Sequence, residues 1–214
     1  MTLILSAATG RTVAHVSAIM DPLIAIPREG EALSAALRVN KPWAERELLV
    51  AYRGYVARVL CRVLGARADM DDLIQDVFVR ALECAHRLTD TDGLGPWLGA
   101  IAVFVAREEI RRRKRRAWLF FLPVEELPEA EAHSASPETS RAMKAAYDVI
   151  ATLDPDEQVV FALRHFDGRT LEEVSALAKC SLATVKRRLT RAERVFFERA
   201  NADAWLSSWM EEGR

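Results

Sequence analysis

The stretch TLEEVSALAKCSLATVKRRLTRA, residues 170–192, decides the fold. Thr170 followed three residues later by Glu173 is a capping-box pattern, and it leads into the apolar residues Val174 and Leu177. A short turn follows, and Ser181 supplies a second N-cap. In the last helix Leu182, Val185, Leu189, Ala192 and Phe196 recur at helical spacing on one face, while Thr184, Arg187, Arg188 and Arg191 are expected on the opposite face. Two short helices joined by a tight capped turn, the second carrying cations, form a helix-turn-helix whose second helix suits the major groove of duplex DNA. Side chains near that helix's start reach base edges, and long cations further along reach phosphates and guanines. Just upstream, Leu153, Asp154 and Pro155 open a helix containing Val159, Val160, Leu163 and Phe166, and Asp167-Gly168 turns out of it.

Working outward, glycine and proline are sparse in this 214-residue chain and no stretch alternates like a strand, so the fold class is all-α. The net charge of −1 hides a strong segregation. Residues 41–116 hold 15 Lys/Arg against 11 Asp/Glu, residues 117–157 hold 2 against 9, and residues 158–200 hold 9 against 5. Two basic modules thus flank an acidic connector, the footprint of a polyanion binder. The connector includes FLPVEELPEAEAHSASPETS, with three prolines and no Lys or Arg, which has little to bury and reads as a linker.

Within the first module, Leu48, Leu49, Tyr52, Tyr55, Val56, Val59, Leu60 and Val63 make an apolar stripe that Gly65 terminates. Asp69 is expected to cap the next helix. There Leu73, Ile74, Val77, Phe78, Ala81 and Leu82 form the apolar face and turn Asp72, Gln75, Asp76 and Val79 elsewhere. A third helix is expected from near Pro96, through Trp97, Leu98, Ile101, Val105 and Ile110, into six adjacent cations, Arg111 to Arg116. Such a run repels itself and is best neutralised by a polyanion.

Cys61, Cys84 and Cys180 are scattered and form no C-x-x-C pair, which fits a reducing compartment and buried thiols rather than zinc ligands. His15, His86, His133 and His165 fall in different elements and are assigned no role. No Ser-His-Asp set, glycine-rich phosphate loop or metal-ligand cluster is evident, so the chain is read as not an enzyme and no cofactor is expected. The segment up to Met20 lacks both the basic start of a signal peptide and a membrane-length apolar core, so no membrane insertion is expected. A short amphipathic helix, an extension, or an over-long start before Met20 all fit that segment. Trp205 and Trp209 are expected to share one turn and pack.

Asp72-Leu-Ile-Gln-Asp-Val-Phe78 resembles the D-L-x-Q-D/E-x-F signature of region 2 of the sigma-70 family, whose polar face meets the clamp helices of the polymerase largest subunit. Pro96-Trp97-Leu98, Ile101-Ala102 and Ile110-Arg111-Arg112-Arg113 are similar to the family's W-L-x-x-I-A-R-N-x-x-x-D-x-x-R-R segment, which reads the −10 element. Glu108 stands at the usual Asp, and Val103-Phe104 stand at the usual Arg-Asn; Phe104 is expected to pack inward. The helix-turn-helix, with its T-V-K-x-R-L-x-R-A core at Thr184–Ala192, resembles region 4, reader of the −35 element, although Lys179 replaces the usual turn glycine and Cys180 an aliphatic residue. With the long segment of primary sigma factors missing between the two regions, the chain resembles the extracytoplasmic-function (ECF) group.

That resemblance implies a cytoplasmic ECF sigma factor. Core polymerase would be bound by Asp72, Gln75 and Asp76, the −10 element by Arg111, Arg112, Arg113 and Lys114, and the −35 element by Ser181, Thr184, Lys186, Arg187, Arg188 and Arg191. Its partners would be core RNA polymerase, promoter DNA and an anti-sigma factor. The implied domains are an extension at 1–40, region 2 at 41–116, a linker at 117–140, region 4 at 141–200 and a tail at 201–214. Two other readings compete: a stand-alone helix-turn-helix regulator of duplex DNA, and a polymerase or anti-sigma interaction protein without promoter reading.

Overall fold

The computed structural model describes residues 31–65, 69–88, 93–120, 137–203 and 207, and among these every regular element is helical. The helices are α1 (Glu31–Arg38), α2 (Pro42–Leu64), α3 (Met70–Cys84), α4 (Leu94–Phe120), α5 (Pro137–Ala151), α6 (Pro155–Phe161), α7 (Leu171–Ala178) and α8 (Leu182–Ala202). They belong to two compact units, one built around α1–α4 and one around α5, α6, the first part of α7 and α8. The acidic segment 121–136, His15, His133, Trp205 and Trp209 lie outside the described residues.

In the first unit α2, α3 and α4 pack on one another, and α1 packs on α2 and on a 3-10 turn, Ala85–Arg87, that closes α3. The periodic stripe of α2 explains its burial: Leu48, Tyr52, Tyr55, Val56, Val59, Leu60 and Val63 are all in the core. Leu49 departs from that expectation at 40% exposure. It sits one helical step, about 100°, beyond Leu48 and outside the buried arc. Gly65 ends the helix at φ 77°, its N–H donating to the Cys61 carbonyl at 2.8 Å. On α3, Leu73, Ile74, Val77, Phe78 and Ala81 are buried and Leu82 lies half-buried at the margin. Asp69 occupies the N-cap position, but its side chain makes no capping hydrogen bond there, which corrects the expectation.

Helix α4 starts at Leu94, two residues before Pro96, which falls within the first turn, where a missing N–H leaves no intrahelical bond unmade. The helix then runs unbroken through the six cations to Phe120. Its core residues Leu98, Ala102, Val103, Val105, Ala106 and Ile110 are buried as α4 packs on α2 and α3. Each large one contributes on the order of 1.5–3 kcal/mol by leaving water. Gly99 permits a close approach of α4 to α2: a Cβ there would lie 2.5 Å from the Tyr55 hydroxyl.

In the second unit α6 and α8 form the main contact and α5 packs on both. Phe161, fully buried, stacks at a tilt 4.8 Å from Phe196 and meets Phe166 edge-on at 5.7 Å, as aromatic quadrupoles prefer. Asp154 caps α6 by accepting the Asp156 N–H at 3.1 Å, with Pro155 at the first helical position. The end of α6 widens into a π-helical turn, Ala162–Phe166, which the Asp167 N–H closes on the Ala162 carbonyl at 3.0 Å. Gly168 at φ 69° then reverses the chain, and buried Arg169 locks the reversal through Asp167 Oδ2 at 2.6 Å.

The helix-turn-helix has the local chemistry its sequence announces. The Thr170 N–H donates to Glu173 Oε2 at 2.8 Å and the Glu173 N–H to Thr170 Oγ1 at 3.2 Å, a reciprocal box that satisfies two otherwise orphaned donors. In the turn Lys179 takes φ 52°, the left-handed conformation that glycine would adopt without strain. Ser175 fastens the turn by donating to the Cys180 carbonyl at 2.6 Å, and Ser181 Oγ caps α8 by accepting the Thr184 N–H at 3.2 Å.

Candidate polymerase and nucleic-acid interfaces

Burial of one face of α3 forces its other face into water. Asp72, Gln75 and Asp76, spaced i, i+3 and i+4, are all exposed on one strip, and Val79, 47% exposed, extends it. The acids of the first turn, Asp71 and Asp72, also suit the positive end of the helix dipole. Asp71 is occupied by Arg53 at 2.8 Å. An exposed polar and acidic strip with one apolar residue can dock on a basic or polar partner helix.

The cationic run of α4 is not a simple solvated end. Glu109 lies beneath it, with a side chain only 3% exposed. Arg112 Nε donates to its Oε2 at 2.6 Å, Arg113 Nε donates to its Oε1 at 3.2 Å, and Arg116 Nη2 lies 3.8 Å from Oε1. Arg111 instead pairs with Glu108 at 3.3 Å. The hydrogen bond to Glu109 raises the pKa of Arg112, and the charges of Glu109, Asp69 and Asp76 act in the same direction against partial burial. Arg111, Arg112, Arg115 and Arg116 are exposed, whereas Arg113 and Lys114 are half-buried. Glu109 was not legible as a site residue, since a Glu three and four residues before Arg is the pattern of an ordinary surface pair.

Phe104 reverses the expectation of inward packing. Val103 takes the buried position at 1% exposure, and Phe104, one residue on, is 44% exposed. The Arg80 guanidinium carbon stands 5.2 Å from its ring centroid, a cation–π distance.

On α8 the buried residues are Val185, Leu189, Ala192, Phe196 and Ala200, and Leu182 is half-buried. Lys186 and Arg187 are exposed. Ser181 and Thr184 are engaged with each other, their hydroxyl oxygens 2.9 Å apart, so part of their hydrogen-bonding capacity serves the helix start. Arg188 is not opposite the buried face as expected: it lies on the flank, 26% exposed, and donates from Nη2 to Asp156 Oδ2 at 2.8 Å. Arg191 is 67% exposed, with Nε 3.3 Å from Glu157 Oε1. In sequence Asp156 and Glu157 are acids at a helix start, already explained by the dipole, and nothing local to them points to α8. His165 meets Glu193 at 3.0 Å.

Among the described residues no group of three or more His, Cys, Asp or Glu side chains could hold a metal ion. Cys61, Cys84 and Cys180 are half-buried and joined by no disulfide, and burial pushes the Cys61 and Cys84 thiols up, away from the reactive thiolate. No described helix is long and apolar enough to cross a membrane.

Comparison with known proteins matches residues 48–116 to the family model of sigma-70 region 2 and residues 143–194 to that of sigma-70 region 4. The ECF RNA polymerase sigma-E factor of Escherichia coli strain K12 is 26% identical over 154 residues, covering 68% of this chain and 80% of the relative. The sigma-E factor of Haemophilus influenzae is 25% identical over 159 residues, covering 68% and 81%. Two solved structures share the fold. CnrH in complex with the cytosolic domain of CnrY has a TM-score of 0.54 at 22% identity, covering 81% of this chain and 97% of that one. The sigma factor RpoE of Bartonella quintana, with the anti-sigma factor NepR, has a TM-score of 0.55 at 17% identity, covering 74% and 97%.

Proposed function

The chain belongs to the sigma-70 family, in its ECF group, and from that premise we propose how its surfaces direct promoter-specific transcription initiation. The observation that carries the division of labour is the coexistence of an exposed Asp72-Gln75-Asp76 strip with a capped helix-turn-helix that turns Lys186 and Arg187 outward. The strip docks on the clamp helices of core polymerase. The cationic end of α4, through Arg111, Arg112, Arg113 and Lys114, holds the strand opened at the −10 element. Helix α8 enters the major groove at the −35 element, with Lys186 and Arg187 reaching DNA directly and Ser181, Thr184, Arg188 and Arg191 contributing from positions the protein itself also uses.

Two weak readers tethered to one polymerase gain effective concentration over either alone. The domain plan keeps the bounds of the sequence reading: an extension to residue 40, region 2 to residue 116, a linker to residue 140, region 4 to residue 200 and a tail. As a regulatory subunit the chain leaves catalysis to the polymerase and acts in the cytoplasm. Both solved relatives are described with a protein partner, and an anti-sigma factor is the corresponding partner here.

Run-off transcription with core polymerase on a pool of random promoters tests this reading, comparing the intact chain with one carrying Ala at Asp72, Gln75 and Asp76. Starts from a shared two-part motif, seen only with the intact chain, are expected. Duplex binding without any start would favour the stand-alone regulator, and polymerase binding without a start would favour the interaction protein.

A further inference from the structure

We propose that Glu109 is a positioning residue that presets two arginine forks for the phosphodiester backbone of a DNA strand. The inference rests on the proposed role of the α4 end and adds a residue and a mechanism to it. A guanidinium has three nitrogens, and the way one of them is used decides what the others can do. Arg112 and Arg113 both approach Glu109 side-on through Nε, and each takes a different carboxylate oxygen, at 2.6 and 3.2 Å. Side-on pairing leaves the Nη1–Nη2 edge of each fork pointing away from the carboxylate, the edge that pairs bidentately with a phosphate. Arg112 is 56% exposed and Arg113 25% exposed, so both side chains are open to a ligand, the second in part, although their roots are fixed.

The carboxylate itself is out of reach of solvent at 3% exposure, so its influence on a bound strand runs through the arginines. Its position follows from the helix: Glu109 precedes buried Ile110 and falls on the packed side of α4, while Glu108 stays on the outer side with Arg111. Arg116 approaches the same carboxylate from one further turn on, at 3.8 Å. The array therefore spans two helical turns. Holding the forks in advance removes much of the side-chain entropy that binding would otherwise cost. Local concentration of charge alone needs none of this geometry, which is what makes the two accounts separable.

The test measures capture of a fluorescein-labelled oligothymidylate by core polymerase carrying the intact chain, Arg112→Lys/Arg113→Lys, or Glu109→Gln, by anisotropy over a range of salt. Lysine keeps the charge but has no Nε to be held side-on and no fork to present. Positioning predicts that the double lysine variant binds about tenfold more weakly, about 1.4 kcal/mol, with polymerase binding unchanged. It also predicts that Glu109→Gln weakens strand capture, although this variant is the more positively charged. Unaltered capture by the double lysine variant, or tighter capture by Glu109→Gln, overturns the inference and leaves the sigma reading in place. The lysine variant carries the decision if Glu109→Gln fails to fold. Failure of the intact chain with polymerase to hold the strand removes the underlying role of α4, and the inference with it.

Discussion

The two cationic surfaces of this chain are ordered by carboxylates of different origin. In the first unit Glu109 lies on the same helix as the arginines it collects, three, four and seven residues before them, and is buried at 3% exposure. In the second unit Asp156 stands 32 residues upstream of Arg188, on another helix, and Glu157 faces Arg191; these acids are 21% and 13% exposed. A same-helix array fixes side chains relative to their own backbone, whatever the rest of the unit does. An array between helices instead fixes the tilt of α8 against α6. The first arrangement suits presentation of charge to a flexible strand, and the second suits holding a rigid helix at the angle a groove demands.

Burial sets the expected sizes. Replacing Arg112, Arg113 and Arg116 together by Ala strips three cations from a buried carboxylate and is expected to destabilise the first unit by about 3 kcal/mol. Hydrogen exchange resolves the units separately and should show faster opening of α2–α4 amides with α5–α8 unchanged. Replacing Arg188 by Ala is expected to lower the stability of the second unit by about 1–2 kcal/mol, because both members of its pair are only three-quarters buried. A double-mutant cycle with Asp156→Ala should return a coupling of about 1 kcal/mol, against at most a few tenths for Glu157 with the more exposed Arg191. Equal losses in the two units would erase the comparison. Arg187→Ala, with no such partner among the described residues, should leave exchange rates alone and still abolish selection of the −35 element.

These contrasts also mark how far the sequence could be read. Helix faces were legible because periodicity reports burial directly: Leu73, Ile74, Val77 and Phe78 predict an exposed strip of Asp72, Gln75 and Asp76, and the strip is exposed. Caps were legible where the geometry closes within four residues, as at Thr170–Glu173 and Ser181. What failed was phase at the edge of a face and partnership across helices. Leu49 and Phe104 sit one residue from buried neighbours and turn outward. Asp156 meets Arg188 only because α6 and α8 pack, and Glu109 differs from Glu108 only by about 100° of helix rotation.

The capping box offers a smaller effect with a direction in pH. Glu173 is held below the usual carboxylate range, first by the Thr170 N–H it accepts, with Arg169 assisting against partial burial. A carboxyl whose folded pKa is depressed adds stability that is present above its unfolded value, about 4.3, and is lost as pH falls through the folded one. Glu173→Gln should therefore lower the stability of the second unit at neutral pH by only about 0.5 kcal/mol, because a side chain 48% exposed is screened by solvent and Gln still offers Thr170 an acceptor. Intact chain and variant should converge below about pH 4 in urea titrations. Glu109 supplies no comparable box, so a difference that persists in acid would locate the effect in packing rather than in the cap.

The smallest expected effect compares two backbone positions. Two non-glycine residues among those described lie in the left-handed region, Asn40 at φ 51° before α2 and Lys179 at φ 52° in the helix-turn-helix. Asn reaches this conformation with local hydrogen-bonding help, whereas Lys has only the steric cost, about 1–2 kcal/mol. Glycine removes that cost but loses more entropy on folding, so Lys179→Gly should stabilise the protein by about 0.5 kcal/mol and Asn40→Gly should leave its stability nearly unchanged. Lys179 then stands in the turn at a cost its family's usual glycine avoids. If the glycine variant is more stable yet selects the −35 element less sharply, the lysine is retained for its charge beside the groove. If selection is unaltered, the strained turn has no part in reading DNA.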